Sequence, residues 1–163
     1  MPTYYSTQMA LAADIPSLLI DHKDVKNGMY RFNYTTPVAA AGRTVADIIQ
    51  LQQIVDYGYF LMGLYWAAAM STAGGDSSIQ IGLLPAVSRT PNHGLAALVA
   101  GTGVPAYFLT TTSVDALTSA TSFGATTALG HDTLLYPGDI IYATIITEAW
   151  AASSDLHGYF MAM

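Results

Sequence analysis

The chain contains no cysteine. Disulfides and cysteine-ligated zinc are therefore excluded. Charge is scarce too: 10% of residues are Asp, Glu, Lys or Arg, against roughly 25% in an ordinary soluble domain. Positive charge is the scarcest. Lys23, Lys26, Arg31, Arg43 and Arg89 are the only cations, and none follows residue 90, where Asp115, Asp132, Asp139, Glu148 and Asp155 lie. Phosphate recognition needs Lys and Arg, so direct DNA or RNA binding is not expected. Attraction to an anionic membrane fails for the same reason. The first residues have no basic region followed by an apolar stretch, so they do not read as a signal peptide. The longest apolar run, Tyr59 to Met70, falls short of the ~20 residues that a membrane helix needs.

What the chain has is apolar residues, 52% of the total, within 163 residues. That is ample for one domain with a real core. A lone monomer usually carries more surface charge. The expectation is a surface dressed in Ser, Thr, Gly and Tyr and partly covered by other copies or partners.

Residues 1–27 read as an irregular N-terminal arm, with "ADIP" breaking any helix and "NG" marking a turn. From Gly28 the pattern alternates. Tyr30, Phe32 and Tyr34 share one face, the period of a half-buried strand. "DIIQLQQI" sets Ile49 and Leu51 on one side and Ile48, Gln50, Gln52 and Ile54 on the other. "YGYFLMGLYWAAA" is apolar on both faces and aromatic-rich, which favours a strand covered on both sides. "SIQIGLL" alternates through Ile79, Ile81 and Leu83. "LAALVA" and "AYFLTTT" read as two further short strands. "SVDALTSA" is the one plausible helix start, with Ser113 as its cap. "DIIYATIITEAW" follows the turn "YPG", and "HGYFMAM" closes the chain as a last strand. About eight strands with almost no helix predict an all-β sandwich or jelly roll over residues 28–163. The two "DII" strands enter from similar loops, which suggests equivalent strands in facing sheets.

Signals for chemistry are weak. None of His22, His93, His131 and His157 lies at i+2 or i+4 from another, so no local metal pair exists. His131 beside Asp132, with Asp139 after the turn, could serve acid–base chemistry or a cation. The plainer reading is that Asp132 makes a loop hydrogen bond and Asp139 caps the turn that launches a strand. "AGGDSS" lacks the lysine of a phosphate loop and the repeated acids of a calcium loop. No Gly-x-Ser-x-Gly nucleophile motif is present. Tyr57, Tyr59, Phe60, Tyr65 and Trp66 could line a sugar platform, although such clusters are more often core. No enzyme activity, cofactor or metal is expected. Tyr4 and Tyr5 differ, since the arm has no core of its own. With Met9, Leu11, Ile15, Leu18 and Leu19 they are candidate partner-binding residues.

The order of arm, "AGRTVADIIQLQQIVDYGYFLMGLYW", "DSSIQIGLL" and "LLYPGDIIYATII" resembles small structural proteins of tailed bacteriophages, over roughly residues 42–84 and 130–147. At the corner "IVDYGY", Val55-Asp56 stands where proline is common in that group. The resemblance implies a β-sandwich virion protein of the capsid decoration or cement type. It further implies a homo-oligomer, trimer favoured, bound to the major capsid protein on the capsid surface after assembly in the host cytoplasm. Other readings stay open: a carbohydrate- or receptor-binding β-sandwich module, a head–tail connector or tail subunit, and a cupin-like metal enzyme built from His131, His157 and acids.

Overall fold

The structure is a computed structural model. It describes residues 3–5, 23–26, 29–35, 42–54, 59–69, 77–91, 96–113, 133–147, 149–150 and 155–162. These are all-β, with no helix among them. The strands are β1 (Thr3–Tyr5), β2 (Lys23–Lys26), β3 (Met29–Thr35), β4 (Ile48–Gln53), β5 (Tyr59–Ala69), β6 (Ser78–Leu84), β7 (Val104–Ser113), β8 (Leu134–Leu135), β9 (Ile140–Thr147) and β10 (Asp155–Ala162). The expected helix at "SVDALTSA" lies outside the described residues after Ser113, which ends β7.

β4, β9, β6 and β7 form an antiparallel sheet in that order, and β1 joins in parallel at the β4 edge. One face of this sheet is the core. Ile49 opposes Ala143, Ile81 opposes Ala143, Ile79 opposes Ile145 and Leu83 opposes Ile141. All of these side chains are completely buried. Each buried Ile or Leu contributes about 1.5–3 kcal/mol, and their cross-strand neighbours fix the register. The opposite face carries Ile48, Gln50, Gln80, Leu84 and Ile140, which are half-buried. The remaining strands pair in the order β2-β3-β10-β5-β8. Sheet pairing thus reaches into residues 1–27, at β1 and at β2.

β4 departs from simple alternation. Gln50 opposes Tyr142 and Gln52 opposes Ile141, so Leu51 is an extra residue in a β-bulge. A one-residue slip moves every later side chain to the other face. Gln52 and Ile54 therefore join Ile49 on the core side, where both are buried. The strict alternation read from the sequence had placed them opposite. Residues 96–100 of "LAALVA" likewise form no strand; among them only Leu98 is buried, held by a single bridge to Arg89, while Val99 is half exposed, and Leu95 lies outside the described residues.

The two "DII" strands do not face each other across sheets. They are neighbours, antiparallel, in one sheet. Each is launched by the same turn. Asp47 N–H donates to the Thr44 carbonyl (3.1 Å) and Asp139 N–H to that of Tyr136 (3.0 Å). The third residue of each turn has positive φ, Ala46 at 72° and Gly138 at 91°. That is the type II pattern, for which Pro137 and Gly138 are well suited. Each strand also ends on the other's turn. Ala46 N–H donates to Ile145 O (2.8 Å) and Ile145 N–H to Asp47 O (3.1 Å). Gly138 N–H donates to Ile54 O (2.6 Å) and Ile54 N–H to Asp139 O (2.9 Å). The pair is related by a local two-fold, broken only by the bulge residue Leu51.

Candidate interaction surface

The YPGD turn joins β8 to β9, and the side chain of its aspartate accepts four hydrogen bonds. Asp139 is fully buried. Its Oδ1 accepts from Ala86 N–H (2.8 Å) and from an Arg89 guanidinium N–H (3.2 Å). Its Oδ2 accepts from Tyr136 N–H (2.9 Å) and the other Arg89 terminal nitrogen (2.5 Å). This is a fork-to-fork ion pair combined with two backbone bonds, the arrangement that makes burial of a carboxylate tolerable. Asp139 does cap its turn, as the plainer reading held, and it also ties that turn to a loop fifty residues away in sequence.

Arg89 organises the loop between β6 and β7. Its backbone pairs with Leu98 in both directions, at 2.9 and 2.7 Å. Its guanidinium also donates to Val87 O (3.1 Å) and lies 4.7 Å from the centre of the Tyr136 ring. The loop closes with Ala100 N–H on Ser88 Oγ and Gly101 N–H on Pro85 O, both 2.9 Å. Gly138 packs so tightly on this loop that a Cβ would come within 2.9 Å of Ala86 Cβ. Two loops from different parts of the chain are thus fixed as one unit. That unit displays Val87 (50% exposed), Val99 (54%) and Tyr136 (36%). Among the described residues the display is apolar, and the charges beneath it, Arg89 and Asp139, are paired.

The matching turn before β4 is built more sparely. Thr44 N–H donates to Asp47 Oδ2 (2.8 Å), while Asp47 Oδ1 is buried without a partner. Nearby, Arg43 and Trp150 exchange backbone hydrogen bonds (2.9 and 2.7 Å), and the guanidinium lies 5.6 Å from the Trp150 ring. Both side chains are buried. Neither partnership has a local sequence signal. The scarcity of cations was the available hint, because a buried acid in this chain has few counter-charges to choose from.

A shallow depression of about 200 Å³ opens on the half-buried sheet face, lined by Ile48, Gln50, Leu84, Gly103, Ile140 and Tyr142. It is smaller than the roughly 300–1,000 Å³ of small-molecule sites. Burial pushes the Tyr142 phenol up to about 12. Burial also raises Tyr107, whose hydroxyl bonds Thr133 Oγ1 at 3.0 Å, and that bond and Arg89 lower it in part. Both phenols stay protonated near neutrality, and neither is poised as a base.

Of the candidate partner-binding residues, Tyr4 and Tyr5 lie on β1, opposite Ile49 and Gln50. Met9, Leu11, Ile15, Leu18 and Leu19 lie outside the described residues. His157 is on β10, opposite Thr35 and Ala67. His22, His93, His131 and Asp132 lie outside the described residues. Tyr59, Phe60, Tyr65 and Trp66 are on β5, and Tyr57 is outside. Among the described residues no three of His, Asp and Glu converge as metal ligands. No family model, curated protein or solved structure matches the chain.

Proposed function

We propose that this chain is a non-enzymatic structural protein of a virion, of the capsid decoration or cement type. It acts as a homo-oligomer, trimer favoured, on the major capsid protein at the capsid surface. In this reading the two sets of strands close into a β-sandwich or jelly roll over the buried Ile and Leu face, with residues 1–27 as the arm. The observation that carries the reading is the Asp139–Arg89 node. Both oxygens of its carboxylate are committed to backbone and guanidinium donors. What it accomplishes is to hold Val87, Val99 and Tyr136 in a fixed apolar display. Covering such a display stabilises a contact by about 25 cal/mol per Å² before association costs. Many copies at fixed geometry on a shell then act together.

The low charge of the chain agrees with a surface meant to be covered. A sugar platform at this display is disfavoured, because one face of Tyr136, the exposed aromatic among the described side chains, is taken by Arg89. The reading expects portal, protease and capsid genes beside this one. Co-expressed with that capsid protein, the chain sediments with assembled shells. If it stays in the supernatant while shells pellet, the reading is wrong.

A further inference from the structure

Beneath β1, β4 is the outermost strand of the antiparallel set, and its side chains Ile49 and Leu51 are completely buried. Without β1, an edge this close to the core would expose backbone donors and acceptors that invite another strand. The second half of β4 is blunted. Leu51 bulges, and the Gln52 side-chain amide donates to Gln53 O at 3.1 Å. The regular part is Ile48–Gln50, and β1 covers that part residue for residue: Thr3 on Ile48, Tyr4 on Ile49, Tyr5 on Gln50.

We propose that the outer edge of β4 is a strand-exchange site that takes the Thr3–Tyr5 segment of a second copy of this chain. The inference rests on the homo-oligomer part of the reading above and is independent of the shell. Three considerations carry it. First, the segment fits the edge in register, and the same hydrogen bonds form whichever copy supplies it. Second, residues 6–22 lie between β1 and β2. Fully extended they reach roughly 55–60 Å, whereas a domain of this length is roughly 40 Å across. A touching neighbour is within range. Third, each of the three described residue pairs is a weak attachment, since a backbone hydrogen bond contributes only about 0.5–1.5 kcal/mol net. Reciprocal exchange in a closed ring fills every edge and adds these weak contacts across all copies at once. The register places Tyr5 opposite Gln50.

The absence of cysteine makes the test clean. Residues opposite each other on paired strands are within disulfide range. The full-length double variant Tyr5→Cys/Gln50→Cys is oxidised under native conditions and run on a non-reducing denaturing gel. Exchange gives a ladder of covalent oligomers that ends at the ring size, and a mixture of the two single variants, one carrying a mass tag, gives a mixed cross-linked dimer. A double variant that closes only within its own chain overturns the proposal, as does one that forms no cross-link while its circular dichroism is native. Independently, Tyr4→Pro in the full chain removes a backbone donor from the segment. It is expected to keep the native spectrum and shift light scattering from oligomer to monomer. An unchanged oligomer also counts against exchange.

Discussion

Replacing Asp139 by Asn changes neither volume nor shape, so a cavity cannot account for the result. Each carboxylate oxygen accepts one backbone N–H and one Arg89 N–H. Either orientation of an Asn amide therefore aims an NH2 group at two donors. Two bonds are lost, one of them charge-assisted, and the Arg89 guanidinium, 11% exposed, is left without its counter-charge. Bonds to charged groups contribute about 1.5–3 kcal/mol, and breaking a buried pair costs about 3–5 kcal/mol. The expected loss is about 3–5 kcal/mol, a large share of the 5–15 kcal/mol typical of a whole domain.

The local two-fold supplies the control. Asp47 sits at the same place in the same turn, but it accepts one backbone bond on Oδ2 and none on Oδ1. An Asn there keeps its oxygen on Thr44 N–H and turns the NH2 toward the vacant side. The expected cost of Asp47→Asn is below about 1 kcal/mol. Urea unfolding of both variants, compared by midpoint at unchanged slope, reads the difference directly. If the two losses agree within about 1 kcal/mol, the Arg89 node contributes nothing beyond the turn itself, and the account of the loop display fails. Arg89→Met combined with Asp139→Asn is expected to cost about 1–3 kcal/mol less than the sum of the single changes, since both break one network.

Other expectations follow from single positions. Ala46 holds a φ of 72°, a conformation costing about 1–2 kcal/mol in an L-residue, so Ala46→Gly is expected to raise stability by up to about 1 kcal/mol once glycine's added chain entropy is counted. Gly82→Ala drives a Cβ against backbone atoms of Val104 and Pro105, well inside contact distance, and is expected to cost at least about 1–3 kcal/mol in the same unfolding assay. Tyr142 titrates near 12 in the folded chain and near 10 unfolded. Its contribution is complete below pH 10 and is lost as pH rises from 10 to 12, at up to about 1.4 kcal/mol per pH unit, and Tyr142→Phe should flatten that decline.

The alternating stretches were legible because a sheet with one buried face imposes period two. Ile79, Ile81 and Leu83 are completely buried as their spacing required. The failures share a cause, which is contact between residues distant in sequence. Nothing at Leu51 marks a bulge, since neither glycine nor proline is there. The bulge falls between the two turns, where β4 starts from its own turn and closes at Ile54 onto the turn of its partner. "LAALVA" has the composition of a strand, but strands need neighbours, and among its described residues only Leu98 finds one. The turn at "YPGD" was readable from proline and glycine, whereas the cation that meets its aspartate was not. For the site, Tyr4 and Tyr5 fall on β1, while the Val87, Val99 and Tyr136 display had no periodic signal.

The two turns together separate what shapes a turn from what fixes a loop. Thr44–Asp47 and Tyr136–Asp139 share the i to i+3 bond, the positive φ at the third residue and an aspartate whose Oδ2 accepts from the first N–H. Only Asp139 accepts from an arginine. The cation is therefore not needed to form the turn or to start the strand. It is needed where a second loop must be held against the turn, and that is where Val87, Val99 and Tyr136 are displayed. Of the five cations, Arg43 is buried beside Trp150 and Arg89 is largely buried at this junction. Solvation alone would favour an exposed position, so the junction is where fixed geometry matters. In the reading proposed above, such a surface is preformed to meet its partner rather than one that adapts on contact.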